Sequence, residues 1–391
     1  MHIRLFLILM LNSQFLILPT LSMEPSLVPP EVNCAPGSEY HVSARQYQGV
    51  AGIERTQQGR LWATWYSGTP IEGPNNHILL VTSDDDGLTW TEPLAVIDPP
   101  GRVRAADPVL WIDPQNRLWW FWLQSENRWD GRGGVWAVVT ENPESAAPSW
   151  SAPRRICDGV MMNKPTVLTS GEWLLPVTIW EYHKTRHPAV RDEDRPPHVV
   201  ASDDQGLTWK RRGGVSMPDP SCDEHMIVER RDGSLWMLAR MKSGIGESFS
   251  QDKGFTWSQA RKSEWPHPET RFFIRRLRSG ALLMVKNHND VEQIWEKQTG
   301  RSHLTAFIST DDGVTWQGEL RLDVRKLVAY PDATESENGQ IYLIYDRERK
   351  GAREILMAVF TENQVRNKGT LPPLPRLRQI ISKATNNASP N

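Results

Sequence analysis

The chain reads as an all-β protein, a six-bladed β-propeller with four-stranded blades and Asp-box hairpins, and two periodic signals predict it. One is the string S-x-D-x-G-x-T-W, the Asp box, which occurs at residues 83–90, 202–209, 250–257 and 309–316, with a worn copy ending at Trp150. The closing tryptophans are 60, 59, 48 and 59 residues apart. The other is a turn followed by an apolar strand, repeated six times at Gly59, Asn116, Gly171, Gly233, Gly280 and Gly339, with spacings of 57, 55, 62, 47 and 59. Units of this length that hold several short strands are propeller blades.

Each element has a local reason. Gly and Asn suit the positive-φ positions of a hairpin turn, and the short apolar or alternating runs beside them read as strands. A blade is then an inner strand, the Gly/Asn hairpin, a second and a third strand, and an Asp-box hairpin into the fourth. In the box the Asp accepts backbone N–H groups, the Gly takes a positive φ and the Trp packs between strands of its sheet. Asp85, Asp204, Asp252 and Asp311 are therefore structural. The last blade, around residues 322–365, lacks a box; a strand from residues 41–46 is expected to complete it and close the ring, which protects sheet edges. Residues 23–370 form the propeller, and residues 371–391 read as an appended tail.

Composition narrows the function. A formal net charge of −2 gives no field to attract nucleic acid or an anionic membrane. At the N-terminus His2 and Arg4 precede an apolar run broken by Asn12, Ser13 and Gln14. Residues 1–22 thus read as a signal peptide, with a secreted or periplasmic destination and no membrane span after cleavage. Three cysteines are no disulfide framework; Cys157 and Cys222 could pair or both be free. No metal cluster, HExxH motif or phosphate-binding loop stands out, so no cofactor or metal is called for. Oligomeric state is left open.

Inner strands of a propeller surround its channel, and ligand sites open at one mouth. Counting back from the turns places Tyr47, Gln48, Arg104, Asp107, Asn163, Lys164, Asp223, Glu224, His225, Glu269, Arg271, Tyr330 and Asp332 at the starts of inner strands. Second strands add Arg240 and Lys286; third strands add His77, His198 and Arg301. So many convergent charges suit a pocket for a polar, charged ligand. A paired network that plugs the channel is the competing reading, because buried charge is costly unless paired.

With its four Asp boxes, the chain resembles the sialidase superfamily of Asp-box propellers over roughly residues 40 to 365. The resemblance extends to DEHMIVERRDGSLWMLAR, GRSHLTAFISTDDG and LVAYPDATESENGQIYLIYD. It implies that Glu224 activates Tyr330 as nucleophile while Arg240 and Arg301 hold the carboxylate of an acidic sugar. A neutral Tyr nucleophile avoids repulsion by that carboxylate, and sialidases are the Tyr exception among glycosidases. Two features of the family are missing. Gln48 stands where the family's first-blade Arg belongs, so Arg271 or Arg104 would have to replace it. The loop ahead of the first box, TPIEGPNNHILLVTS, has no Asp, which leaves Glu72, His77 or Asp107 as the acid.

Three functions follow. The first is a secreted exo-acting sialidase-like glycosidase acting on an acidic sugar of a glycan. The second is a lyase on uronic-acid glycans, with His77 and Tyr330 handling the protons. The third is a glycan-binding propeller without turnover.

Overall fold

The computed structural model describes residues 24–68, 70–180, 190–288 and 300–386. The segment read as a signal peptide lies outside them. Six separate four-stranded antiparallel sheets follow one another along the chain. Blade one comprises β1 (Tyr47–Arg55), β2 (Leu61–Gly68), β3 (Asn76–Ser83) and β4 (Ala95–Ile97). Blade two comprises β5 (Val103–Ile112), β6 (Leu118–Glu126), β7 (Gly134–Thr140) and β8 (Arg154–Cys157). Blade three comprises β9 (Thr166–Val167), β10 (Trp173–Val177), β11 (His198–Ser202) and β12 (Lys210–Gly214). Blade four comprises β13 (Pro220–Glu229), β14 (Leu235–Met241), β15 (Gly244–Ser250) and β16 (Arg261–Lys262). Blade five comprises β17 (Phe273–Arg276), β18 (Leu282–Asn287), β19 (Leu304–Ser309) and β20 (Gln317–Asp323). Blade six comprises β21 (Val328–Glu335), β22 (Gln340–Arg347), β23 (Glu354–Thr361) and β24 (Arg376–Lys383).

Ring closure differs from the sequence expectation. Residues 41–46 do not complete the last blade; β24 does, pairing with β23 from within the segment read as a tail. The propeller thus extends past residue 370, and each blade is made of consecutive strands. Blades one and six are joined by side chains instead of a shared sheet. Asp346 accepts Val50 N–H at 2.8 Å, Asp332 accepts Ile53 N–H at 2.9 Å, and Thr334 donates to Glu54 at 2.7 Å. Gln48 Nε2 donates to the carbonyls of Arg353 and Ser382 at 2.6 and 3.2 Å.

The Asp boxes are structural, as read. Asp85 accepts the N–H groups of Leu88 and Thr89 and the Thr89 hydroxyl at 2.6 Å, and these bonds hold its carboxyl down at about 2. Asp204, Asp252 and Asp311 repeat the pattern. The closing tryptophans do more than pack within their own sheet. Trp209 of blade three lies 6.3 Å from Trp119 of blade two, and Trp150 of blade two lies 6.3 Å from Trp62 of blade one. A Cβ on Gly206 or Gly313 would strike Trp119 or Trp236 of the preceding blade at 2.8 and 2.5 Å. The boxes therefore wedge into the seams between blades, where their half-buried tryptophans help cover Trp62 and Trp119; a fully buried indole removes roughly 150–250 Å², worth about 4–6 kcal/mol in transfer terms. All three cysteines are free. No helix among the described residues is long and apolar enough to cross a membrane.

Candidate active site

The inner strands of blades one, two, four and six share one irregularity near their starts. Two residues face one across the sheet: Val50 and Ala51 opposite Trp65, Asp107 and Pro108 opposite Trp122, Glu224 and His225 opposite Ala239, and Tyr330 and Pro331 opposite Tyr345. The first residue of each bulge is left-handed, with φ of 53° at Val50, 50° at Asp107, 36° at Glu224 and 57° at Tyr330. Bulges re-aim side chains at barrel rims and active sites, and non-glycine residues held there cost about 1–3 kcal/mol each. Three of the four are the acid, base and nucleophile candidates named above.

The Glu224 and Tyr330 side chains meet although 106 residues separate them. The Tyr330 hydroxyl donates to Glu224 Oε1 at 2.8 Å, and Arg240 Nη1 reaches that same oxygen at 2.8 Å and the phenol oxygen at 2.9 Å. Burial raises the Tyr330 phenol to about 12, with Glu224 adding to it and Arg240, Arg301 and Arg349 opposing. The Arg301 guanidinium carbon lies 5.5 Å from the Tyr330 ring centroid, and Arg301 Nη2 donates to Glu269 O at 3.1 Å. Asn163 fixes the bulge from behind by donating to the carbonyls of Glu224 and His225.

Arg349 completes the set and was missed in the sequence. Its guanidinium carbon stands 4.1 Å from the Tyr330 ring centroid. Its Nε donates to Asp346 at 2.9 Å, while its Nη2 is buried without a partner. The side chain crosses Gly49, where a Cβ would lie 2.6 Å from both its Cδ and Nε. The signal was present: ends of second strands were counted for blades four and five, and the same count in blade six reaches Arg349 just past β22.

Asp107 and Glu72 line a second side of the site. Arg104 Nη2 binds Glu72 at 3.2 Å and lies 3.9 Å from Asp107, and Arg128 binds Glu72 at 3.2 Å. Burial works to raise Glu72, yet Arg104, Arg128 and Arg349 hold it below the usual carboxylate range. Asp107 moves the other way. Burial raises it to about 7, reinforced by Glu72 and Glu224 against Arg104 and Arg349, and its Oδ2 is buried without a hydrogen bond.

Three of the residues proposed from the sequence lie elsewhere, and a fourth, Arg271, meets the Tyr330 ring at 5.4 Å with its terminal nitrogens already taken. The terminal nitrogens of Arg271 donate to the carbonyls of Met162, Tyr330, Pro331 and Ala51, from 2.6 to 3.4 Å, while its Nε is buried without a hydrogen bond. Lys164 binds Glu54 and Asp332 at 2.9 and 3.1 Å and the carbonyls of Ile53 and Leu110. These two cations plug the channel. Gln48 latches the last blade, as described above. His77 packs edge-on against Tyr40 at 5.0 Å; burial, with Arg45, lowers it to about 3. It is a neutral wall residue outside the Tyr330 cluster. Arg104 stays at the site, but as the partner of Glu72.

Comparison with known proteins places this propeller in a family. Residues 59–343 match the BNR repeat-like domain. The chain belongs to that family, within the sialidase superfamily of propellers. A sialidase of Bacteroides fragilis is 24% identical over 308 residues, which is 70% of this chain and 54% of that protein; the chain thus spans about half the length of this curated relative. Among solved structures, the Hadza microbial sialidase Hz136 superposes with a TM-score of 0.64 at 17% identity, covering 83% of this chain and 69% of that one. The intramolecular trans-sialidase from Ruminococcus gnavus, solved with oseltamivir carboxylate, superposes with a TM-score of 0.63 at 14% identity, covering 84% and 97%.

Proposed function

We propose that the chain is a secreted or periplasmic exo-acting sialidase-like glycoside hydrolase that removes an acidic sugar from a glycan. The observation that carries this reading is the Tyr330 hydroxyl on Glu224 beneath three arginines from blades four, five and six. Arg240, Arg301 and Arg349 bind the sugar carboxylate by charge-assisted bonds. Glu224 takes the phenol proton as the Tyr330 oxygen attacks the anomeric carbon. Asp107, protonated near neutral pH, gives its proton to the departing glycosidic oxygen. In the second step water attacks the anomeric carbon and yields a proton to Asp107, while the Tyr330 oxygen leaves with the proton held by Glu224. Glu72, kept ionised by Arg104, Arg128 and Arg349, is unsuited to that acid role and instead orients Arg104 beside Asp107.

The lyase reading loses support from His77, which faces Tyr40 and Arg45. Incubation with 3′-sialyllactose and with a uronic-acid glycan separates the readings. Free sialic acid with no ultraviolet-absorbing product is expected. An unsaturated uronate would establish the lyase, and binding without turnover would establish the glycan-binding propeller.

A further inference from the structure

One cavity among the described residues lies away from the Tyr330 mouth. It encloses about 340 Å³ at the opposite end of the channel, walled by the far ends of the inner strands of blades one, two, five and six. That volume falls in the range of small-ligand sites, roughly 300–1,000 Å³. Glu54, one of its lining residues, also holds Lys164 of the plug, so the plug separates this cavity from the Tyr330 mouth.

One wall is apolar. Phe273, Leu277, Leu283 and Ile341 line it and belong to the core between blades five and six. Alternation along β17 puts Arg275 on the same face, between Phe273 and Leu277. Arg275 is half-buried and makes no side-chain hydrogen bond or close ion pair among the described residues. The charge that acts with it is Glu335 of the same lining, whose carboxyl is raised by burial, with Arg278 and Arg275 opposing. Its neighbour Arg276 differs: it donates to the carbonyls of Gly280 and Glu229 at 2.8 and 2.9 Å and pairs with Asp312 at 2.8 Å. Glu335 and Thr334 beside Arg275 also have partners of their own. Glu335 accepts the Arg278 N–H at 2.7 Å, and Thr334 donates to Glu54. A guanidinium set among apolar side chains is costly unless an anion meets it.

We propose that this cavity is a second binding site, for a small organic carboxylate whose apolar part lies against Phe273, Leu277, Leu283 and Ile341 and whose carboxylate pairs with Arg275. The apolar wall favours an organic acid over a bare inorganic anion. The inference stands independently of the chemistry at Tyr330. Titration calorimetry on the full chain tests it, with benzoate, benzamide and inorganic phosphate as probes. Benzoate should bind saturably, and benzamide and phosphate at least about ten-fold more weakly. Arg275→Gln should weaken benzoate by a similar factor, whereas Arg301→Met should leave it unchanged. If Arg275→Gln does not fold, Arg275→Met gives the same readout. Absence of benzoate binding, affinity unaltered by either Arg275 variant, loss on Arg301→Met, or phosphate bound as tightly as benzoate would each overturn the proposal.

Discussion

The middle of the channel and its active mouth are built from the same residue types and behave differently. In the middle, Lys164 and Arg271 end on backbone carbonyls and on carboxylates that are themselves fixed. At the mouth, Arg240, Arg301 and Arg349 gather around one phenol ring, and Arg349 keeps an unpartnered nitrogen. A buried cation whose terminal nitrogens all end on fixed acceptors is a strut, as in Arg271, where only Nε is left over; one that still presents a terminal nitrogen beside a nucleophile candidate, as Arg349 does with Nη2, is a binding group. The plug reading of the convergent charges thus holds in the middle of the channel, and the pocket reading is the proposal for its mouth.

The sharpest break of that comparison is Tyr330→Phe. Turnover should fall by roughly 10⁴-fold or more, while urea denaturation shows a loss within about 1–2 kcal/mol, because only the phenol's own hydrogen bonds go. Lys164→Met should do the reverse. It strands Glu54 and Asp332 without their cation, costing about 3–5 kcal/mol of stability; whatever folded protein remains should keep its kcat.

Asp107→Asn comes next, with a loss of roughly 10²–10⁴-fold on a glycan leaving group and much less on an activated nitrophenyl glycoside, which needs no acid. The sign of the pH dependence follows from the raised carboxyl. Asp107 must be protonated to donate, so wild-type activity should fall as pH rises through about 7, and the asparagine variant should lack that limb. A wild-type rate that rises through this range would remove Asp107 from the acid role.

Smaller effects sharpen the assignment of Arg349. Arg349→Met should raise KM by roughly ten-fold, the scale of one charge-assisted contact. Gly49→Ala should produce part of the same KM change without touching substrate, by pushing the Arg349 side chain aside. Equal KM for both variants and wild type would leave only two arginines on the carboxylate.

The fold was legible because its repeat is written in local chemistry: turn glycines, box aspartates and seam tryptophans each have one conformational job. Glu224, Arg240, Arg301 and Tyr330 were legible because strand order alone brings them to one rim. The rest was not, for physical reasons. Nothing in the composition separates Arg271 from Arg349, since what matters is the acceptors that each one meets. The acid was hidden among Glu72, His77 and Asp107 because the choice depends on burial and neighbouring charge. Ring closure was misplaced because β24 follows a helical turn, Glu362–Arg366, and a proline-rich stretch, which together resemble the end of a domain.

Most direct is a test of whether Tyr330 becomes covalently bonded to the sugar. The protein would be treated with a 3-fluorosialosyl fluoride, quenched, digested and sequenced by mass spectrometry. One fluorosialosyl adduct on the Tyr330 peptide is expected, absent in Tyr330→Phe. Turnover of sialosides with the adduct on another residue, or undiminished turnover by Tyr330→Phe, would contradict the role assigned to this phenol.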